Sequence, residues 1–214
     1  MKKKYQFYSS WAIWAEEGET PKSNVGDLSV LNPAINQNLL NELNPNIILV
    51  ALNISRGDIQ EPLANFHDKR SEATDYKLRY ALKDTALWGG YLTDIIKDFD
   101  QKISGKVVSF LKENQRFEKE NVDYFLEEIS YLGVTNPILI ALGTPTYEIL
   151  DRHLSNQFKI IGDLERLISK VATLKISPRE CGTLKNALHA LNVVKEICQN
   201  SSFNSKFGSL FKYF

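Results

Sequence analysis

The chain has 214 residues, with 26 Lys and Arg against 26 Asp and Glu, 43% hydrophobic and 24% charged. That balance excludes disordered and fibrous classes, and the absence of any apolar run near the ~20 residues of a membrane helix argues against a spanning segment. A net charge of zero also excludes a uniformly basic nucleic-acid binder, so any such site must be a local patch.

The N-terminal MKKKYQFYSSWAIWAEEGE carries only the five apolar residues Trp11 to Ala15 before Glu16, too few for a secretory core. With Cys181 and Cys198 read as reduced thiols, the expected location is cytoplasmic. Histidines at 67, 153 and 189 lack zinc-ligand spacing, so no metal is expected.

Next comes NPNIILVALN, Asn44 to Asn53, a continuous apolar run opened by Asn-Pro that reads as a buried parallel strand. GGYLTDII, Gly89 to Ile96, is β-branched and aromatic and reads as a second. Val122, Phe125, Leu126, Ile129 and Leu132 recur at helical spacing. NPILIALG, Asn136 to Gly143, repeats the first strand's pattern and runs into a helix with Thr144 as N-cap and Pro145 at its first position. ATLKIS, Ala172 to Ser177, reads as a fourth strand, and Leu184, Leu188, Leu191, Val194 and Ile197 as a closing helix. The aromatic tail after Ser201 has no period.

Strands alternating with helices predict an α/β fold: a three-layer α/β/α arrangement around a mainly parallel sheet. With no linker or repeat, residues 1–214 read as one domain, with an N-terminal extension of about 1–43 packed on it. In such sheets ligands bind beyond the strands' carboxyl ends. The residues there are Asn53 to Gly57, Thr93-Asp94, Gly143-Thr144 and Lys175 to Pro178. GxGxxG, GxxxxGK[ST], GxSxG and HExxH are all missing, so no cofactor is expected.

VALNIS (Val50 to Ser55), Thr93-Asp94-Ile95-Ile96-Lys97, ALG (Ala141 to Gly143) and Ser177-Pro178 follow one another in an order that resembles the uracil-DNA glycosylase superfamily. NFHDKR (Asn65 to Arg70) and WGGYLTDIIKDF are similar to a divergent bacterial branch of it. The pattern departs where Ile54 replaces a proline and Lys175 a histidine. The resemblance implies a hydrolase that flips a damaged or deaminated base from DNA and cleaves its N-glycosidic bond. It implies Asn53 and Asp94 as catalytic residues, and Ser55, Phe66, Thr93, Gly143, Lys175 and Ser177 as substrate-binding residues.

Each residue also has a plainer role. Asn53 can satisfy loop backbone groups, Phe66 can be core, and Asp94 can cap a helix running to Lys97, itself read as a solvated charge. Gly143-Thr144 can receive an anion or simply open a helix. Lys175, Ser177 and Arg179 offer phosphate-gripping groups, within a segment, Ser169 to Lys185, that holds four basic residues and one Glu. His67 beside Asp68 reads as an incidental surface pair, and the tryptophans as anchors. The expected partner is DNA, single or double stranded. The alternatives are an inactive nucleic-acid or nucleotide binding module of the same fold, and a small-nucleoside binder.

Overall fold

The computed structural model describes residues 5–55, 59–97, 99–161, 170–171, 173, 175–182 and 184–185. The architecture is α/β, a five-stranded, mostly parallel sheet with flanking helices. Its strands are β1 (Ser9–Trp11), β2 (Asn44–Asn53), β3 (Gly90–Ile96), β4 (Ile138–Ala141) and β5 (Lys159–Ile161), in the spatial order β1-β3-β2-β4-β5. Only β1 runs antiparallel, pairing Ser9 with Thr93 and Trp11 with Tyr91. The helices are α1 (Leu39–Glu42), α2 (Asp75–Leu82), α3 (Ser104–Glu113), α4 (Gln115–Ser130) and α5 (Thr144–Leu154).

Register decides which face each strand residue serves. Ile48 and Val50 pair with Tyr91 and Thr93 on one side and with Leu139 and Ala141 on the other. Ile48, Val50, Tyr91, Leu139 and Ala141 pack with Val107 and Leu111 of α3, Val122, Phe125 and Ile129 of α4, and Ile149, Leu150 and Leu154 of α5. One residue out of phase, Ile47, Leu49 and Leu92 meet Trp14, Val25, Phe66 and Leu82 on the opposite face. The period of two thus feeds two cores, which is why β2 and β4 read as unbroken apolar runs.

Tight backbone approach closes the near end of β3. Gly89 has φ +78°, its N–H donates to Ala12 O, and a Cβ there would lie 1.8 Å from Glu42 O. Only glycine fits.

Three local expectations need correction. The stretch expected to be a strand at 172–177 shows a turn at Thr173 and no regular structure at residues 175–177; Ala172 and Leu174 lie outside the described residues. Helix α5 is capped not by Thr144 but by Gly143, whose φ of +104° and ψ of +155° fall in a region reserved for glycine. Thr144 and Pro145 therefore both lie inside the first turn. Asp94 caps no helix; it sits within β3. The closing helix expected at Leu184 to Ile197 falls outside the described residues except for Leu184 and Lys185, and the aromatic tail falls wholly outside them. Among the described residues no helix is long and apolar enough to cross a membrane, and no group of three or more His, Cys, Asp or Glu is placed to hold a metal ion.

Candidate functional site at the strand ends and helix cleft

The loops leaving β2 and β4 start toward opposite faces of the sheet, so Asn53 to Ser55 and Leu142 to Thr144 border the point where the winding reverses. Asn53 is half-buried, and its side-chain amide donates to Ile54 O, Phe99 O and Gln101 O, each at 2.9 Å. It ties the end of β2 to the segment that follows β3. Ser55 is exposed beside it.

All seven residues of β3 are buried, including Thr93 and Asp94. Their side chains leave opposite faces. The Asp94 carboxylate accepts from Asn65 Nδ2 at 2.8 Å, and the same amide reaches Tyr8 O at 2.7 Å. Burial in the apolar sheet pushes the Asp94 carboxyl up to about 7, against the lowering effect of the Asn65 hydrogen bond and of Lys97. Phe66, next to Asn65, has φ +66° and packs its ring among Trp14, Leu49 and Leu92, while its carbonyl accepts from Trp14 Nε1. The structure therefore gathers Asn65, Phe66 and Asp94 on one face, with Asn53 two register positions along on β2, and turns Thr93 to the other face toward Glu128.

On the α4 face lies a polar cluster that the sequence reading missed. Lys97, expected in solvent, is 2% exposed and its ammonium lies 2.5 Å from Glu128, which is itself fully buried. Glu128 also accepts from Tyr91 Oη at 2.8 Å and Thr93 Oγ1 at 3.0 Å. Lys97 Nζ donates further to Asp94 O at 2.7 Å, and its backbone N–H to Asn121 Oδ1 at 2.7 Å. Burial, followed by the Glu128 charge, pushes the Tyr91 hydroxyl far up. The signal was present: Glu118, Asn121, Val122, Phe125, Glu128 and Ile129 form one buried stripe of α4, so polar residues at stripe positions required partners.

The late loop stands differently. Ser177 accepts from the Glu180 N–H while its own N–H and hydroxyl donate to Glu180 Oε2 at 3.0 Å, a capping box for the short helical stretch at 178–182. Lys170 pairs with the same Glu180, and the Lys175 side chain is exposed. The described hydrogen bonds of Lys175 and Ser177 are local: Lys175 N–H donates to Lys170 O, and Ser177 bonds Glu180 and accepts at its carbonyl from the Cys181 N–H. His67 is also corrected: it is 4% exposed, its Nε2 contacts Ile13 O, and its ring lies 5.2 Å from that of Trp14.

The open concavity of interest lies on the helices. A cleft of about 560 Å³ separates the end of α3 and the start of α4 from α5, floored by Val108, Leu111 and Ile149. Pro145, Glu148, Ile149 and Arg152 line it at helical spacing, opposite Lys112, Arg116 and Lys119. Glu118, buried at its base, accepts from Arg152 Nε and Nη2 and contacts His153 Nε2 at 2.7 Å.

Comparison with known proteins places sections of this chain beside a DNA repair protein. It is 34% identical over 114 residues to the DNA mismatch repair protein MutS of Christiangramia forsetii, covering 52% of this chain and 12% of that protein. It is 42% identical over 83 residues to MutS of Parabacteroides distasonis, covering 39% and 7% respectively. Over 54 residues it is 54% identical to MutS of Flavobacterium psychrophilum, 25% of this chain and 6% of that protein. The chain thus spans about a tenth or less of the length of the curated relatives it matches. No protein-family model matches it, and no solved structure does.

These matches overturn the resemblance to uracil-DNA glycosylases, and with it the expectation of a glycosidic-bond hydrolase. The physical reason lies in how short the strand-end patterns are: an Asn after an apolar strand and a Thr-Asp inside one arise equally from the backbone and buried hydrogen bonds seen here.

Proposed function

We propose that this chain is a DNA-binding module of mismatch repair, acting by recognition rather than by bond cleavage, and hence working in the cytoplasm where bacterial DNA resides. The similarity of more than half the chain to a MutS protein carries this reading. The polar geometry supports it: the Asn53 amide is spent on three backbone carbonyls, and Lys97 and Glu128 neutralise each other under α4, with Thr93 donating to Glu128. Groups so engaged hold the sheet edge in shape.

The test is fluorescence anisotropy with labelled duplexes that are fully paired or carry one mismatch, alongside single strands, titrated at several salt concentrations. The expected result is salt-dependent binding, tighter for the mismatched duplex, with no base released. Absence of binding to every DNA at about 50 mM salt, with the protein folded, would refute the reading.

A further inference from the structure

Building on the DNA-binding reading, we infer that the cleft between the α3–α4 corner and α5 is where the DNA backbone lies, its phosphates held by Lys112, Arg116, Lys119 and Arg152. Four cations line the cleft against two carboxylates, Glu118 and Glu148, in a chain whose overall charge is zero. Glu118 is turned inward at 6% exposure and engaged by Arg152 and His153, and Arg116 pairs with Glu120 at 2.8 Å, so the unengaged charges of the rim are Lys112 and Lys119 against Glu148. Lys112 and Lys119 are exposed, and neither makes an ion pair among the described residues. Their charge is available to a ligand.

Spacing suits a strand of phosphates better than a compact anion. Arg116 and Lys119 are three residues apart on α4, Lys112 precedes them on α3, and Arg152 faces them from α5. The charges are therefore supplied by three helices around the cleft.

Counterion release supplies the magnitude. Four phosphate contacts give a log–log salt slope of about −3.6, so affinity falls about 150-fold between 50 and 200 mM salt. Lys112→Gln with Lys119→Gln leaves two contacts, a slope of about −1.8 and a fall of about 12-fold. Neither lysine has an ion-pair partner to lose among the described residues, so the double variant should fold normally. Lys69→Gln with Lys77→Gln makes the same charge change on exposed residues before and on α2, which packs on the opposite face of the sheet, and should leave slope and affinity unchanged.

Anisotropy with a labelled duplex reads all three proteins. A slope reduced only in the Lys112/Lys119 variant supports the inference. Equal binding and slope in all three overturns it while leaving DNA binding intact. Displacement of the duplex by millimolar inorganic phosphate at fixed ionic strength would mark a small-anion site and would also overturn it. If the natural chain binds no DNA at all, the parent reading fails, and the cleft inference with it.

Discussion

Replacing Lys97 with Met tests the buried network most sharply. In the native chain the Glu128 carboxylate, fully buried, accepts from Lys97 at 2.5 Å, Tyr91 at 2.8 Å and Thr93 at 3.0 Å. Without the ammonium, a carboxylate remains in the core with two neutral hydroxyl donors. Breaking one side of such a pair costs about 3–5 kcal/mol, a large share of the ~5–15 kcal/mol by which a domain is stable. At about 2–4 °C per kcal/mol for a chain of this length, the midpoint should drop by about 6–20 °C. Adding Glu128→Gln removes the orphaned charge yet keeps an oxygen for Tyr91 and Thr93. The double variant should therefore lose at least ~2 kcal/mol less than the two single losses summed. Urea denaturation followed by tryptophan fluorescence measures each. A Lys97→Met protein within ~1 kcal/mol of the native chain, or losses that simply add, would show that the pair is not coupled as described.

Asp94 links stability to pH. Its carboxyl titrates at about 7 when folded against 3.8 ordinarily, so between those values the folded state holds the proton more tightly than the unfolded chain. Stability should fall as pH rises from about 4 to about 7, by on the order of 4 kcal/mol, and level off above. In Asp94→Asn that decline should vanish; identical pH profiles for the two proteins in urea titrations would contradict it. Asn53→Ala releases three carbonyls at the end of β2 and should cost about 1–3 kcal/mol while leaving DNA affinity unchanged, so lost affinity at full stability would return Asn53 to a ligand-contacting role. Gly89→Ala places a Cβ 1.8 Å from Glu42 O at positive φ, and should cost more than ~3 kcal/mol or prevent folding; a variant that melts within ~1 kcal/mol of the native chain would show that this corner gives way.

The architecture was legible because burial on two faces writes itself as continuous apolar sequence. NPNIILVALN matches β2 end to end, GGYLTDII contains β3 with one residue to spare, and NPILIALG contains the shorter β4. β1 escaped notice because Ser9-Ser10-Trp11 is polar and only three residues long; it exists through its pairing with β3, a contact some 80 residues away. The polar core was hidden for the same reason. Thr93 lies on β3 and Lys97 just past its end, four residues on, but what makes this face polar is Glu128, supplied by a helix 31 residues beyond Lys97. Asp94 likewise depends on Asn65 from a loop. Local pattern identifies which residues are buried; long-range pairing decides whether a buried charge is a reactive group or a strut.

One buried stripe of helix α4 carries both the core braces and the base of the cleft. Glu128 secures β3, and Glu118, ten residues earlier, secures α5 through Arg152 and His153. Glu118→Gln should then move stability and binding in opposite directions. The fold loses a charge-assisted bidentate contact, which is half exposed on the Arg152 side, so the cost is about 1–2 kcal/mol. The cleft loses one of its two carboxylates and gains a freer Arg152, so DNA affinity should rise at low salt, while the log–log slope, set by the same four cations, should stay near about −3.6. Parallel urea melts and anisotropy titrations of this variant separate the two effects. Weaker DNA binding together with lower stability would mean that Glu118 shapes the cleft more than its charge opposes the phosphates, and the backbone-binding geometry would have to be placed elsewhere on the helices.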